Sequence, residues 1–199
     1  MNSVSGRIGK TLFIISFICS FVSAQKIAND KYDEHFQKYS KRYFGPAFDW
    51  KIFKAQGYAE SNLDPEAKSW VGAKGLMQLM PATYADIQLR NPELGEIADP
   101  RWNIAAGIYY NRQLWKRWEE KERHEERMHF VFASYNAGLQ TIKRAQQIAA
   151  QESLDVHSWL SIETIAPNVP RWRHEETVGY VRKIDKNHEI LRTVRQKKR

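Results

Sequence analysis

Apolar positions recur at three- and four-residue intervals through most of the chain, which is the spacing of helices that bury one face. One such stripe follows Asp49, a favourable N-cap residue, and predicts a helix that continues to about Glu60. Asp64 and Pro65 end this stripe, because the residue before a proline is disfavoured in a helix. Glu60 is therefore expected in the last turn of the helix.

The rest of the chain carries further helix signals. Asp99 followed by Pro100 is a typical N-cap and first-turn pair and predicts a long helix that runs toward Trp118. Pro81 suits the first position of another helix. A last helix is expected to begin near Glu175, and additional helical patterns cover about 126–137, 139–151 and 154–165. Alternating β-branched runs dominate nowhere in the sequence, so the predicted fold class is mainly α.

The N-terminus has the pattern of a removable leader. Arg7 and Lys10 precede the apolar run 11–22, which is short for a membrane span, and small residues follow it up to Ala24. Residues 1–24 are therefore predicted to be a secretory signal peptide, which places the protein in the periplasm or cell envelope. Retention of the segment as an anchor and lipid attachment at the single cysteine stay open, and both also place the protein outside the cytoplasm.

Three segments are expected after this leader. Residues 25–47 form an N-terminal segment whose aromatic residues have helical spacing and can pack on the body of the protein. Residues 48–190 form the main domain. Residues 191–199 form a basic C-terminal tail, which is either a solvated helix end or a contact for anionic wall polymer or a membrane surface.

The composition is that of a globular domain. Apolar residues make up 42% and charged residues 27% of the 199 positions, which excludes a disordered or fibrous chain. The net charge of +8 favours polyanionic surroundings, but the export signal and the scattered basic residues argue against nucleic acid as a partner. One cysteine cannot form a disulfide framework, and the six histidines lack ligand spacing, so we expect no metal and no cofactor.

Glu60 is the residue with the clearest catalytic potential. The end of an apolar helix is unfavourable for a negative charge, because the helix dipole and the apolar surroundings both favour the neutral carboxyl. If Ala59, Leu63 and Met77 floor a cleft at this point, desolvation raises the pKa of Glu60 and makes it a proton donor near neutral pH. A surface glutamate at a frayed helix end is the alternative that the local sequence leaves open.

Polar residues in two later strings suit a carbohydrate ligand. Gln78 is an amide inside an apolar tetrad and, if buried, needs partners that it can share with a ligand, although a satisfied core amide stays open. Tyr135 and Asn136 stand beside Gly138 at a predicted helix end. A phenol and an amide suit sugar hydroxyls and acetamido groups.

Four strings together carry a family resemblance: ESNLDP at 60–65, GAKGLMQLMP at 72–81, SYNAG at 134–138 and ETVGYV at 176–181. With these motifs in this order, the chain resembles the soluble-type lytic murein transglycosylases over about residues 46–190. The resemblance implies a lysozyme-like, goose-type fold and peptidoglycan glycan strands as the substrate. It further implies cleavage of the β-1,4 bond between N-acetylmuramic acid and N-acetylglucosamine, with formation of a 1,6-anhydromuramic end.

The resemblance also implies roles for particular residues. Glu60 corresponds to the family's single catalytic residue, which acts first as general acid and then as base. The implied substrate-binding residues are Ser69, Gln78, Met80, Tyr135, Asn136, Glu176 and Tyr180. Among them, Ser69 is expected near the acetamido group, and the Tyr135 hydroxyl is expected to hydrogen-bond near Glu60.

Three alternatives stay open at this point. A hydrolysing lysozyme-type muramidase uses the same cleft but releases reducing muramic ends, and Asp64, Glu66 or Asp99 are candidates for its second carboxylate. A non-catalytic peptidoglycan-binding protein keeps the cleft without turnover. A nucleic-acid binder is the third class, which salt-sensitive DNA binding would indicate.

Overall fold

The computed structural model describes residues 29–118 and 124–196, so the predicted signal peptide and the last three residues of the predicted tail lie outside it. Within these ranges the chain forms helices joined by turns, with two isolated β-bridges, and the mainly α fold class is confirmed. The helices in chain order are α1 (Asp33–Phe44), α2 (Lys51–Ser61), α3 (Pro81–Arg90), α4 (Pro100–Arg117), α5 (His124–Ala137), α6 (Leu139–Gln151), α7 (Trp159–Ile165) and α8 (His174–Gln196). A 3-10 turn, Ala166–Asn168, follows α7.

The predicted end of α2 is confirmed. The helix ends because the next residues adopt left-handed backbone conformations. Asn62 and Leu63 have φ angles of 57° and 60°, a conformation that cannot continue a right-handed helix. The Asn62 and Leu63 amides donate to the Tyr58 and Gly57 carbonyls, respectively, which satisfies carbonyl groups at the helix end. Glu60 therefore lies in the last turn of α2, as predicted.

The caps explain where two other helices begin. Asp99 accepts a hydrogen bond from the Arg101 amide at 2.8 Å and Pro100 occupies the first turn of α4, as predicted. The start of α7 was predicted too early, at about residue 154. The Asp155 carboxylate accepts from the His157 amide at 2.9 Å, and this local turn competes with helix formation before Trp159.

The packing of α2 against α8 is the most extensive helix contact in the described part of the chain. α5 contacts α4, α6 and α8, and its central residues from Phe130 to Ala133 are completely buried. α8 continues to Gln196, through the boundary that the sequence suggested at residue 190, and Leu191 belongs to the core. Among the described residues, no helix has both the length and the apolar character needed to cross a bilayer.

The loop between α2 and α3 is anchored on α4 by one side chain. Asn103 is fully buried, its Oδ1 accepts from the Met77 amide at 2.8 Å, and its Nδ2 donates to the Lys74 carbonyl at 3.0 Å. Gly75 has a φ of +74°, and a Cβ there would lie 2.5 Å from Asn103 Nδ2, so only glycine fits at this position. The hydrogen bonds and the close packing at Gly75 therefore hold the loop that follows Glu60 in one position on α4.

Candidate active site

Glu60 lies at the end of α2, partly buried against α8. The Tyr180 hydroxyl donates to Glu60 Oε1 at 2.5 Å, and Lys183 Nζ donates to the carbonyl of the preceding residue, Ala59, at 2.9 Å. One carboxylate oxygen of Glu60 is thus engaged by a phenol, and a cation stands nearby. This arrangement gives the two oxygens of the carboxyl different surroundings.

The surroundings of the Glu60 carboxyl favour its neutral form near pH 7. Burial raises the pKa of Glu60 from 4.5 to about 8, while the Tyr180 hydrogen bond and the Lys183 charge act in the opposite direction with smaller effect. A carboxyl with this pKa holds its proton near neutrality and can still lose it to a modest base. It is therefore suited to both halves of a proton exchange.

Two tyrosines stand near Glu60 and make different contacts. The Tyr135 hydroxyl donates to the Met77 carbonyl at 2.7 Å, and the Tyr180 hydroxyl donates to Glu60 itself. Burial first, and the Glu60 charge second, raise the pKa of both phenols well above 10, which leaves them as neutral donors. Tyr135 fixes the loop that carries Met77, and Tyr180 contacts the carboxyl itself.

Two buried amides behind Tyr180 were missed by the sequence analysis. Gln56 Nε2 donates to Tyr180 Oη at 3.0 Å, and Asn111 Nδ2 donates to Gln56 Oε1 at 2.6 Å. Both amides are completely buried, on α2 and α4. The signal that could have found them is the presence of two amides on otherwise apolar helix faces, because buried amides need partners.

The predicted substrate-binding residues of the loop after α2 differ in how many of their atoms are available to a ligand. Ser69 Oγ accepts from the Ala73 amide at 3.0 Å, and Gln78 Nε2 donates to the Gly75 and Ala67 carbonyls at 2.9 and 3.2 Å. The Ser69 hydroxyl proton and Gln78 Oε1 have no partner in the described part of the chain and are free for a ligand. Met80 has 41% of its surface exposed and needs no rearrangement to contact one.

Asn136 and Glu176 meet at a pocket of about 230 Å³ that also contains Arg171 and Arg173. Asn136 Oδ1 accepts from the Thr177 hydroxyl at 2.8 Å, and Glu176 pairs with Arg173 at 3.1 Å. The sequence motifs at 134–138 and 176–181 are therefore adjacent in space. Tyr180, one turn beyond Glu176 on α8, connects this pocket's helix to Glu60.

An exposed aromatic residue beside Ser69 was also missed. Trp70 is 90% exposed at a turn closed by hydrogen bonds of 3.0 Å between Ser69 and Ala73 and between Gly72 and Ser69. Periodicity cannot mark a single residue on a turn, so no sequence signal singled it out. Four aromatic residues of α3 and α4 serve the interior instead, since Tyr84 is buried and the others pack against the core: Trp102, Tyr109 and Tyr110.

Comparison with known proteins places this geometry in a family. The model of the family described as the transglycosylase SLT domain matches residues 35–157. The membrane-bound lytic murein transglycosylase F of Desulfosudis oleivorans is 35% identical over 137 residues, which are 68% of this chain and 29% of that protein. The protein of the same name from Pseudomonas putida strain F1 is 28% identical over 173 residues, 85% of this chain and 34% of that protein. The chain spans about a third of the length of these curated relatives.

Solved structures agree with this assignment. The 70 kDa soluble lytic transglycosylase SLT70 of Escherichia coli matches with a TM-score of 0.64 and 25% identity over 84% of this chain and 25% of that one. A complex of the 70-kDa soluble lytic transglycosylase with bulgecin A gives a TM-score of 0.66 at 24% identity, over 83% and 24% of the two chains. The expected lysozyme-like transglycosylase fold is confirmed. The chain belongs to the transglycosylase SLT domain family.

Proposed function

We propose that this protein is a peptidoglycan lytic transglycosylase that cleaves the β-1,4 bond between N-acetylmuramic acid and N-acetylglucosamine, with Glu60 as its catalytic residue. The observation that carries the proposal is a carboxyl at a helix end whose pKa is raised to about 8 and whose Oε1 is engaged by Tyr180. The family and the name shared by its relatives, lytic murein transglycosylase, support the same substrate.

In the first step, neutral Glu60 donates its proton to the glycosidic oxygen, and the bond to C1 of the muramic acid breaks. The leaving group departs as the neutral 4-hydroxyl of N-acetylglucosamine. The positive charge that develops at C1 is stabilised by the carbonyl oxygen of the sugar's own 2-acetamido group, a substrate-assisted route that needs no second carboxylate.

Two of the three candidate second carboxylates, those of Asp64 and Asp99, accept hydrogen bonds from nearby backbone amides. Asp64 is exposed, and its carboxylate accepts from the Glu66 amide at 2.9 Å. Asp99 caps α4. These contacts argue against Asp64 and Asp99 as a second nucleophile or base and agree with the single-carboxylate mechanism.

In the second step, the Glu60 carboxylate removes a proton from the 6-hydroxyl of the muramic acid, whose oxygen attacks C1. The 1,6-anhydro ring closes, Glu60 regains its proton and no water is consumed. A well-oriented internal hydroxyl reaches an effective molarity of roughly 10⁵ M or more, which outcompetes water at ~55 M. The orientation of the sugar in the cleft therefore decides between the anhydro product and hydrolysis.

The remaining parts of the proposal concern placement of the protein. Residues 1–24 act as an export signal, residues 48–190 form the catalytic domain, and residues 25–47 contribute the helix that packs on it. Peptidoglycan lies outside the cytoplasmic membrane, so the predicted leader agrees with the proposed substrate, and the curated relatives are named membrane-bound. The basic residues of the sequence after 190 are proposed as a contact for anionic wall polymer or lipid, and a solvated helix end is the alternative.

Digestion of purified murein by the whole protein tests the proposal. We expect soluble fragments that end in 1,6-anhydromuramic acid, and Glu60→Gln is expected to abolish their release while murein binding is retained. Fragments with reducing muramic ends would instead indicate the hydrolysing muramidase. Binding without any fragments, unchanged by Glu60→Gln, would indicate a non-catalytic wall-binding protein.

A further inference from the structure

Three hydrogen bonds in a row lead from the Asn111 side chain of α4 to Glu60. Asn111 donates to Gln56 at 2.6 Å, Gln56 donates to Tyr180 at 3.0 Å, and Tyr180 donates to Glu60 at 2.5 Å. The first three side chains are buried, the two amides completely and Tyr180 to within 8% exposure. This series of hydrogen bonds runs from α4 to α2, from α2 to α8, and back from α8 to the end of α2.

The direction of every donor in this chain follows from one backbone group. The Gly107 carbonyl can only accept, and Asn111 Nδ2 donates to it at 3.0 Å, which fixes the orientation of the Asn111 amide. Asn111 therefore presents its second N–H to Gln56, whose oxygen must accept and whose nitrogen must donate onward to Tyr180. Because the Tyr180 oxygen already accepts, its own proton is directed to Glu60 Oε1.

We infer that Gln56 and Asn111 are positioning residues. They keep the Tyr180 hydroxyl donating to Glu60 Oε1, which leaves Glu60 Oε2 for proton exchange with the glycan. This inference rests on the proposed catalytic role of Glu60. Neither amide contacts the reacting atoms in this account, because both act through Tyr180. Their effect is to keep one oxygen of Glu60 permanently hydrogen-bonded.

The burial of these amides argues for a role beyond packing. Asn111 Oδ1 has no hydrogen-bond partner among the described residues, although it is buried. An unsatisfied buried oxygen is unfavourable for folding, and two apolar side chains of similar volume would fill the same space without that penalty. The two amides fix the direction of the hydrogen bonds to Tyr180, which apolar side chains could not do.

The other titratable groups that face Glu60 do not replace this function. Lys183 from α8 lowers the pKa of Glu60 through its charge, and Tyr135 from α5 directs its hydroxyl to the Met77 carbonyl. Without the Gln56 donor, the Tyr180 hydroxyl is free to turn and accept a proton instead of donating one. The carboxylate form of Glu60 then loses stabilisation, and its pKa rises.

Gln56→Met, a change of similar volume, and Asn111→Leu test the inference in the whole protein. We expect kcat for murein to fall about three- to tenfold with little change in KM, and the alkaline limb of the pH profile to move to higher pH. In protein labelled with ¹³C at the glutamate carboxyls, the Glu60 resonance, assigned by its loss in Glu60→Gln, is expected to titrate at higher pH. Asn91→Leu is the matched control, because Asn91, the residue that follows α3, is a buried amide whose Nδ2 donates at 2.9 Å to the Ile87 carbonyl of that helix.

A double variant separates positioning from a general structural effect. In the Tyr180→Phe background, Gln56→Met is expected to cause no further change in the Glu60 titration or in the pH profile. An undiminished effect of Gln56→Met in that background, or an unaltered Glu60 titration in the single variants, would overturn the inference. The carboxyl titration needs no turnover, so a protein that fails to cleave murein would reject the proposed function while still deciding this point.

Discussion

Tyr180 donates its hydroxyl proton to Glu60 across 120 residues of sequence, at an oxygen–oxygen distance of 2.5 Å. The contact is possible because α2 and α8 pack against each other more extensively than the other described helix pairs. It makes the two oxygens of Glu60 unequal, since Oε1 accepts from the phenol. It also stabilises the carboxylate form, which the buried surroundings otherwise disfavour.

Replacement of Tyr180 by phenylalanine removes this hydrogen bond and leaves the ring in place. The pKa of Glu60 is expected to rise further above its usual range, because the bond to Tyr180 lowers it. The alkaline limb of the pH–rate profile then moves to higher pH, and kcat falls roughly tenfold or more. Tyr135→Phe is the control, because that hydroxyl bonds to Met77 and its loss is expected to leave the alkaline limb in place.

The raised pKa of Glu60 also predicts how stability depends on pH. The folded protein holds this proton up to about pH 8, whereas the unfolded chain releases it near pH 4.5. The stabilising contribution of neutral Glu60 is therefore complete below pH 4.5 and is lost as the pH rises to about 8. Urea unfolding of the wild type and of Glu60→Gln across this range measures the effect, which we expect the variant to lack. Parallel curves for the two proteins would contradict it.

The helix ends near the site were largely predictable, because they depend on local chemistry. Asp99 and Pro100 set the start of α4, and the short-range turn before Pro65 ends α2 and fixes the place of Glu60. The partner of Glu60 was not predictable from the residues, since Tyr180 reaches it only through helix packing between distant segments. The resemblance implied both tyrosines as site residues but did not indicate that Tyr180 donates to the carboxyl.

Buried polar residues and turn residues account for what the sequence did not indicate. Gln56 and Asn111 form their hydrogen bond only after α2 and α4 come together, and the one sequence signal for them is their place on otherwise apolar helix faces. Trp70 lies on a turn, where the sequence has no helical or strand periodicity that could indicate the side chain's position. The apolar periodicity predicted the start of α7 too early, because the turn formed by the Asp155 carboxylate precedes the helix.

Trp70 is expected to stack on a sugar ring of the glycan strand, because the rigid turn holds its face in solvent next to Ser69. Trp70→Ala should raise KM for glycan strands about three- to tenfold and leave kcat and thermal stability nearly unchanged. Trp70→Tyr should restore most of the affinity. The control is Leu160→Ala, at a residue of α7 that is 71% exposed and that we expect to have no effect. Equal KM values for Trp70→Ala and the wild type would remove Trp70 from the substrate site.

Gly75→Ala tests whether the loop after α2 must be fixed on Asn103. The added methyl group would lie 2.5 Å from Asn103 Nδ2 at a φ of +74°, so both a clash and backbone strain result. We expect a loss of roughly 2–4 kcal/mol in the free energy of unfolding and lower activity. Gly72→Ala is the matched control, because its φ is +91° with no atom within 4 Å, and it should cost about 1 kcal/mol. Similar losses in the two variants would show that the contact with Asn103 is unimportant.

The catalytic claim is tested most directly by the mass of the muropeptides that the whole protein releases from purified murein. We predict fragments that carry a 1,6-anhydromuramic end, each lighter by one water than the hydrolysis product, and none from Glu60→Gln. Fragments with reducing muramic ends, or undiminished release by Glu60→Gln, would contradict it.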